Sequence, residues 1–103
     1  MSTAAKPLTI VAIFEAVAGR EDELAAALAA LVAPTRAEDG CLDYDLHRDL
    51  ERPGRFLFYE NWTTRAAWNA HMESPHLRRH RETSPPLVAR AEILQMEPTE
   101  GPD

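Results

Sequence analysis

The chain has 103 residues and a mass of 11.5 kDa, which leaves room for one domain with one modest core. Seventeen acidic residues against eleven basic ones give a net charge of −6, and only Arg78–Arg81 is locally basic, so the basic stripe of a nucleic-acid binder is missing. No run approaches the roughly 18 apolar residues of a membrane span, Met1–Pro7 lacks the apolar stretch of a secretory signal, and the single cysteine, Cys41, excludes an intrachain disulfide framework. These properties point to a cytoplasmic protein that binds neither nucleic acid nor membrane.

Residues 1–7 read as a disordered leader, 8–97 as the domain and 98–103 as a flexible tail. Leu8–Val17 is rich in Ile, Val and Phe and reads as a strand with two largely apolar faces, both of which need cover. From Glu21 the period changes: Leu24, Ala27, Leu28, Leu31 and Val32 mark one helical face, loosened near its end by Pro34 and stopped by Gly40. Cys41–Asp49 alternates Leu42, Tyr44 and Leu46 with Asp43, Asp45 and His47, a strand with one wet face. The Pro53-Gly54 turn leads into the aromatic strand Arg55–Trp62. Thr63 or Thr64 caps a short helix carrying Trp68, His71 and Met72, and Ser74-Pro75 starts another. Pro85-Pro86 interrupts that helix, and Ala91–Glu97 is the last strand. The order predicts an α+β fold of the ferredoxin-like, split βαβ kind: a four-stranded antiparallel sheet with helices on one face. The apolar surface left on the other face predicts a homodimer packed sheet on sheet.

Several side chains stand out chemically. Glu60 and Trp62 share a strand face with Phe56 and Phe58, and a carboxylate among aromatics is costly to bury unless paired. Glu60 is therefore either a desolvated acid or base, or a strut that accepts a hydrogen bond from a helix residue such as His71. His71, inward-facing with Trp68 and Met72, is the best single candidate for proton transfer; the alternative, which base rates favour, is a core histidine satisfied by Glu60. His76 and His80 are four apart, a spacing that two metal ligands on a helix would share, but no further Cys or His stands at useful spacing and no metal site is expected. Arg78, Arg79 and Arg81 read as a solvated face, His47 as surface or interface, and Cys41 as a packing residue without an activating cation. No Gly-rich phosphate loop or nucleophile elbow is present, so neither flavin nor nicotinamide is expected.

The segments AGREDELAAALAALVAPTRAEDGCLDYDLHRD and RFLFYENWTTRAAWNAHMESPHLRRH resemble the antibiotic biosynthesis monooxygenase (ABM) domain, and in particular its small quinol monooxygenase-like members. The signature is E-x-W at Glu60–Trp62, a helix with a Trp and a His, and S-P-H at Ser74–His76, within a likeness running from about Leu8 to Met96. The resemblance implies a dimeric α+β barrel with a pocket in each subunit between sheet and helices. It also implies cofactor-independent chemistry, in which an electron-rich phenol, quinol or anthrone is deprotonated and its anion reduces oxygen. On that reading His71 and Glu60 handle the proton, and Trp62, Trp68, Tyr44, Phe58, Met72 and His76 hold the small aromatic substrate. Some anthrone-oxidising members carry an Asn and a Tyr where this chain has Phe58 and Trp68. Haem-degrading relatives need an Asn on the first strand, where this chain has Ala12, although His80 lies close to where they place the iron ligand. Two other readings stay open: an isomerase or tautomerase of a small phosphorylated ketone, with Arg79 or Arg81 on the phosphate, and a non-catalytic small-ligand-binding dimer.

Overall fold

The computed structural model describes residues 7–99; most of the expected leader and tail, residues 1–6 and 100–103, lies outside the described residues. In chain order the elements are β1 (Leu8–Ala16), α1 (Glu21–Ala29), α2 (Val32–Arg36), β2 (Cys41–Arg48), β3 (Arg55–Trp62), α3 (Arg65–Met72), α4 (Pro75–Thr83), a 3₁₀ turn (Pro85–Leu87) and β4 (Val88–Met96). The strands form one antiparallel sheet in the order β2-β3-β1-β4, the ferredoxin-like arrangement. No helix among the described residues is long and apolar enough to cross a membrane.

Alternation along the strands assigns the faces. Ile10 and Ala12 of β1, Tyr44 of β2, and Phe56, Phe58 and Trp62 of β3 are buried in one cluster with Leu24, Leu28 and Leu31 from the first helical segments, Trp68 of α3 and Leu77 of α4. The opposite face carries Val11, Ile13, Leu57 and Tyr59 with no helix over it among the described residues, and Tyr59 is 42% exposed.

The first helix departs from its sequence period. It ends at Ala29, and a separate short helix takes up Leu31's neighbours with Pro34 as its third residue. Proline is tolerated there because the N–H groups of a first turn have no intrahelical acceptor anyway. In β2 the register slips by one residue between Cys41 and Asp43, so that Cys41 pairs with Trp62 and Asp43 with Asn61. This bulge pushes Leu42 out to 54% exposure, off the face it was expected to share with Tyr44 and Leu46. The last strand starts at Val88, three residues before the expected Ala91, because β1 pairs with it back to Ala16.

Gly40 decides how the loop after α2 meets α3. Its φ is +84°, and a Cβ there would lie 2.5 Å from the Ala67 Cβ and 2.8 Å from the Thr63 Oγ1. Left-handed backbone costs about 1–2 kcal/mol for a residue with a Cβ, and the overlap adds a further ~1–3 kcal/mol of overpacking. Gly40→Ala is expected to destabilise the fold by about 3 kcal/mol in urea titration; an unchanged midpoint would show that the loop yields freely.

Candidate active site

Two capped helices and one pinned loop build the site on the helical side of the sheet. Thr64 Oγ1 accepts from the Ala67 N–H at 3.0 Å and starts α3, while Ser74 Oγ accepts from the Leu77 N–H at 3.4 Å and starts α4 behind Pro75. Each cap is worth about 1 kcal/mol. The two helices meet at Glu73 and Ser74, so His71 lies in the last turn of one helix and His76 in the first turn of the next. The loop from Ala37 to Gly40 is tied at both ends: the Glu38 N–H donates to the Thr35 carbonyl at 3.0 Å, and the Gly40 carbonyl accepts from Thr63 N–H at 2.8 Å. The close approach that Gly40 allows brings Glu38 against α3.

There the Glu38 carboxylate meets two imidazoles. Its Oε2 lies 2.7 Å from His71 Nδ1 and 2.7 Å from His76 Nε2. His71 is buried, its ring 4.7 Å from that of Trp62 and edge-on to Tyr44 at 5.5 Å. Burial lowers the His71 pKa below the ordinary 6.5, outweighing the opposite pull of Glu38, with His76 and Arg81 adding to the drop. His71 is thus a neutral base at pH 7, and with Nδ1–H turned to Glu38 its lone pair sits on Nε2.

Glu60 is 4% exposed on the strand face opposite Tyr44 and Ile10. Its Oε1 accepts from Trp62 Nε1 at 3.0 Å, two residues along the same face. The expected Glu60–His71 bond is not formed: Trp62 satisfies Glu60, and Glu38 satisfies His71. Desolvation raises the Glu60 pKa from 4.5 to about 7, restrained by the Trp62 bond and reinforced by Glu38. Tyr44 stacks on Phe58 at 4.5 Å, and burial together with the Glu60 charge holds its phenol well above the ordinary value.

Glu60, Tyr44, Phe58, Trp68, His71 and Met72 line a narrow cavity of about 40 Å³ between sheet and helices. Its remaining wall is apolar except for His80, whose Nδ1 lies 2.8 Å from Ser84 Oγ. Burial lowers the His80 pKa, and Arg81 adds to the drop. Trp62 backs His71 rather than lining the cavity, and His76 stands outside it, on a groove of about 190 Å³ shared with Arg79, His80 and Ser84. A larger hollow of about 660 Å³ lies across the uncovered face, floored by Ile13, Leu57 and Tyr59. It is wide and open, and of its titratable groups neither His47 nor Asp49 is buried. The inner cavity, where a neutral base and a carboxyl that titrates near 7 converge, is therefore the candidate site.

Glu38, His71 and His76 also form a group of three side chains near enough together to hold a metal ion. Spacing along the helix singled out His76 with His80, but the fold groups His76 with His71 and a loop carboxylate instead. Cys41 has its pKa pushed up to about 11 by burial and by Glu38, Glu60 and Asp43, the environment of an unreactive thiol.

The sequence profile described as antibiotic biosynthesis monooxygenase (ABM) matches residues 7–83. The chain belongs to the ABM family. Among the curated relatives of this ABM protein is "Putative monooxygenase Rv0793" of Mycobacterium tuberculosis, 34% identical over 84 residues, or 82% of each chain. The solved structure of Rv0793 superposes with a TM-score of 0.86, covering 94% of this chain and 99% of that one. An uncharacterised Synechocystis protein, sll1783, is 32% identical over 84% of the ABM chain described here, which spans only 60% of that longer relative. The crystal structure of PA3566 from Pseudomonas aeruginosa, 35% identical, superposes with a TM-score of 0.92 over 96% of this chain and all of that one.

Proposed function

We propose that this ABM protein is a cofactor-independent monooxygenase of a small aromatic quinol- or anthrone-like molecule. The reading is carried by one observation: His71, a neutral base, and Glu60, a carboxyl with a pKa of about 7, both line an aromatic-walled cavity. His71 Nε2 takes the proton of a substrate hydroxyl or activated methylene, and the resulting carbanion or phenolate supplies electrons to O2. One oxygen atom enters the ring carbon as a carbonyl and the other leaves as water, so the substrate provides all the electrons. Glu60, half protonated at pH 7, gives one proton to the reduced oxygen, and the second proton of the water comes from the carbon that becomes the carbonyl. Phe58, Tyr44 and Trp68 hold the ring and keep water out. The cavity accepts only a water-sized guest as it stands, so a ring enters when adaptable side chains such as Met72 swing aside. The mouth lies by Ile93 on β4, which lines the cavity and is 45% exposed.

A phosphorylated ketone fits less well, since Arg79 lies on the outer groove and not in the cavity. The homodimer belongs to the same reading: a second copy would cover Val11, Ile13 and Leu57 on the bare sheet face. Incubation with hydroquinones and anthrones in an oxygen electrode should give protein-dependent uptake, by a preparation that sediments as a dimer. Turnover that proceeds equally without oxygen would replace this reading with an isomerase, and tight ligand binding without turnover would replace it with a binding protein.

A further inference from the structure

The Glu38 carboxylate oxygen joins two spaces that the fold otherwise separates. On one side His71 is buried and lines the inner cavity; on the other, His76 is partly exposed and lines the outer groove between α1 and α4. Both rings lie 2.7 Å from the same Oε2, through Nδ1 of His71 and Nε2 of His76. The ring atoms left over, Nε2 of His71 and Nδ1 of His76, have no hydrogen-bond partner among the described residues.

A metal ion would use the same three side chains, but the spacing speaks for shared protons. Donor atoms placed tetrahedrally at about 2.0–2.1 Å from a divalent ion stand about 3.3 Å apart, whereas charge-assisted N–H···O bonds run to about 2.7–2.9 Å. The two contacts are hydrogen-bond lengths.

We propose that His71, Glu38 and His76 form a proton relay that carries the substrate's proton from the inner cavity to the outer groove. The proposal rests on the reading of His71 as the base. The substrate X–H bond breaks and an N–H bond forms at His71 Nε2, the electron pair staying on the substrate. The Nδ1 proton then passes to Glu38 Oε2 as the proton that Oε2 shares with His76 Nε2 moves fully onto that nitrogen, and His76 Nδ1 releases a proton to water in the groove. A ring turnover or proton exchange through water resets the tautomers. Until the Nδ1 transfer His71 carries a charge in a buried pocket, with Trp62 and Tyr44 packed against its ring and the Arg81 charge opposing it. His80 borders both spaces too, but its bonded nitrogen goes to Ser84 and no hydrogen bond links it to His71. Ser74 Oγ, 3.2 Å from His76 Nε2, fixes the orientation of that ring.

The test uses the full chain and two readouts. In the first, His76→Gln and His76→Asn are assayed for oxygen uptake with a hydroquinone or anthrone in a non-basic buffer. The relay predicts that kcat falls roughly tenfold or more with KM unchanged, and that added imidazole restores the rate in the variants while leaving the unmodified protein unaffected. An unchanged kcat, or a loss that imidazole does not restore, would overturn the relay and leave the monooxygenase reading standing. In the second, ring-nitrogen NMR follows the titration of His71 and His76 in 15N-histidine-labelled protein. Linked titrations that separate in Glu38→Gln support the relay, even if no substrate of the panel is oxidised. Independent titrations, or a stoichiometric metal ion found by elemental analysis in the purified protein and lost in Glu38→Gln, overturn it.

Discussion

Replacing His71 by Asn is expected to lower kcat by about 10²–10⁴-fold, the usual contribution of a positioned general base. Asn is the discriminating substitution because its amide nitrogen falls near the Nδ1 position and still donates to Glu38, whereas nothing remains where Nε2 was. Ala would also leave a cavity beneath Trp62 and confuse a chemical loss with a packing loss. The pH profile gives the second arm. His71 acts only when neutral, and burial sets its pKa below 6.5, so activity falls as the pH drops through that lowered value. Glu60 acts only when protonated, so activity also falls as the pH rises through about 7. A bell with a narrow top results, and His71→Asn removes its acid limb. Wild-type turnover by His71→Asn would remove this histidine from the chemistry.

Glu60→Gln is expected to make the protein more stable at alkaline pH. The carboxyl titrates near its ordinary 4.5 in the unfolded chain and at about 7 in the folded one. Between those values the folded state holds a proton that the unfolded state has lost, so stability decreases as the pH rises through that window. The shift corresponds to roughly 3 kcal/mol lost in full above pH 7. Gln carries no charge, keeps an oxygen for Trp62 Nε1 and escapes that cost. Urea titrations should therefore show Glu60→Gln ahead by about that amount at pH 8 and level with the parent at pH 4.5. A gap that stays constant with pH would mean that packing, not ionisation, sets it. Retaining such a carboxyl is intelligible if its proton is used, a cost borne at a working site.

The sheet and its helix-facing side were legible because strand alternation is a local property: Phe56, Phe58, Glu60 and Trp62 needed only their spacing to be placed together. The caps at Thr64 and Ser74 were legible for the same reason. Glu38 was not. It sits in an Ala-Glu-Asp-Gly loop that reads as an ordinary polar turn, 33 and 38 residues before its two partners. The one local signal was Gly40, read as a helix stop, whose left-handed backbone and contact with Ala67 bring the loop onto α3. Glu60 and His71 were rightly placed on one side of the sheet, but Trp62 lies against both and takes the bond that the sequence assigned to His71. The bulge that turns Leu42 outward leaves no mark in a strictly alternating segment.

The tilted contact of Trp62 with His71, with ring centroids 4.7 Å apart, also gives the protein an optical reporter. A protonated imidazole quenches the fluorescence of an indole it touches, and a neutral one does so far less. Only one other tryptophan, Trp68, contributes background emission. With Trp68→Phe in place, the emission of Trp62 should dim as His71 takes up a proton. The charge state at the centre of the cavity then becomes readable in a cuvette, on a chromophore the fold already holds.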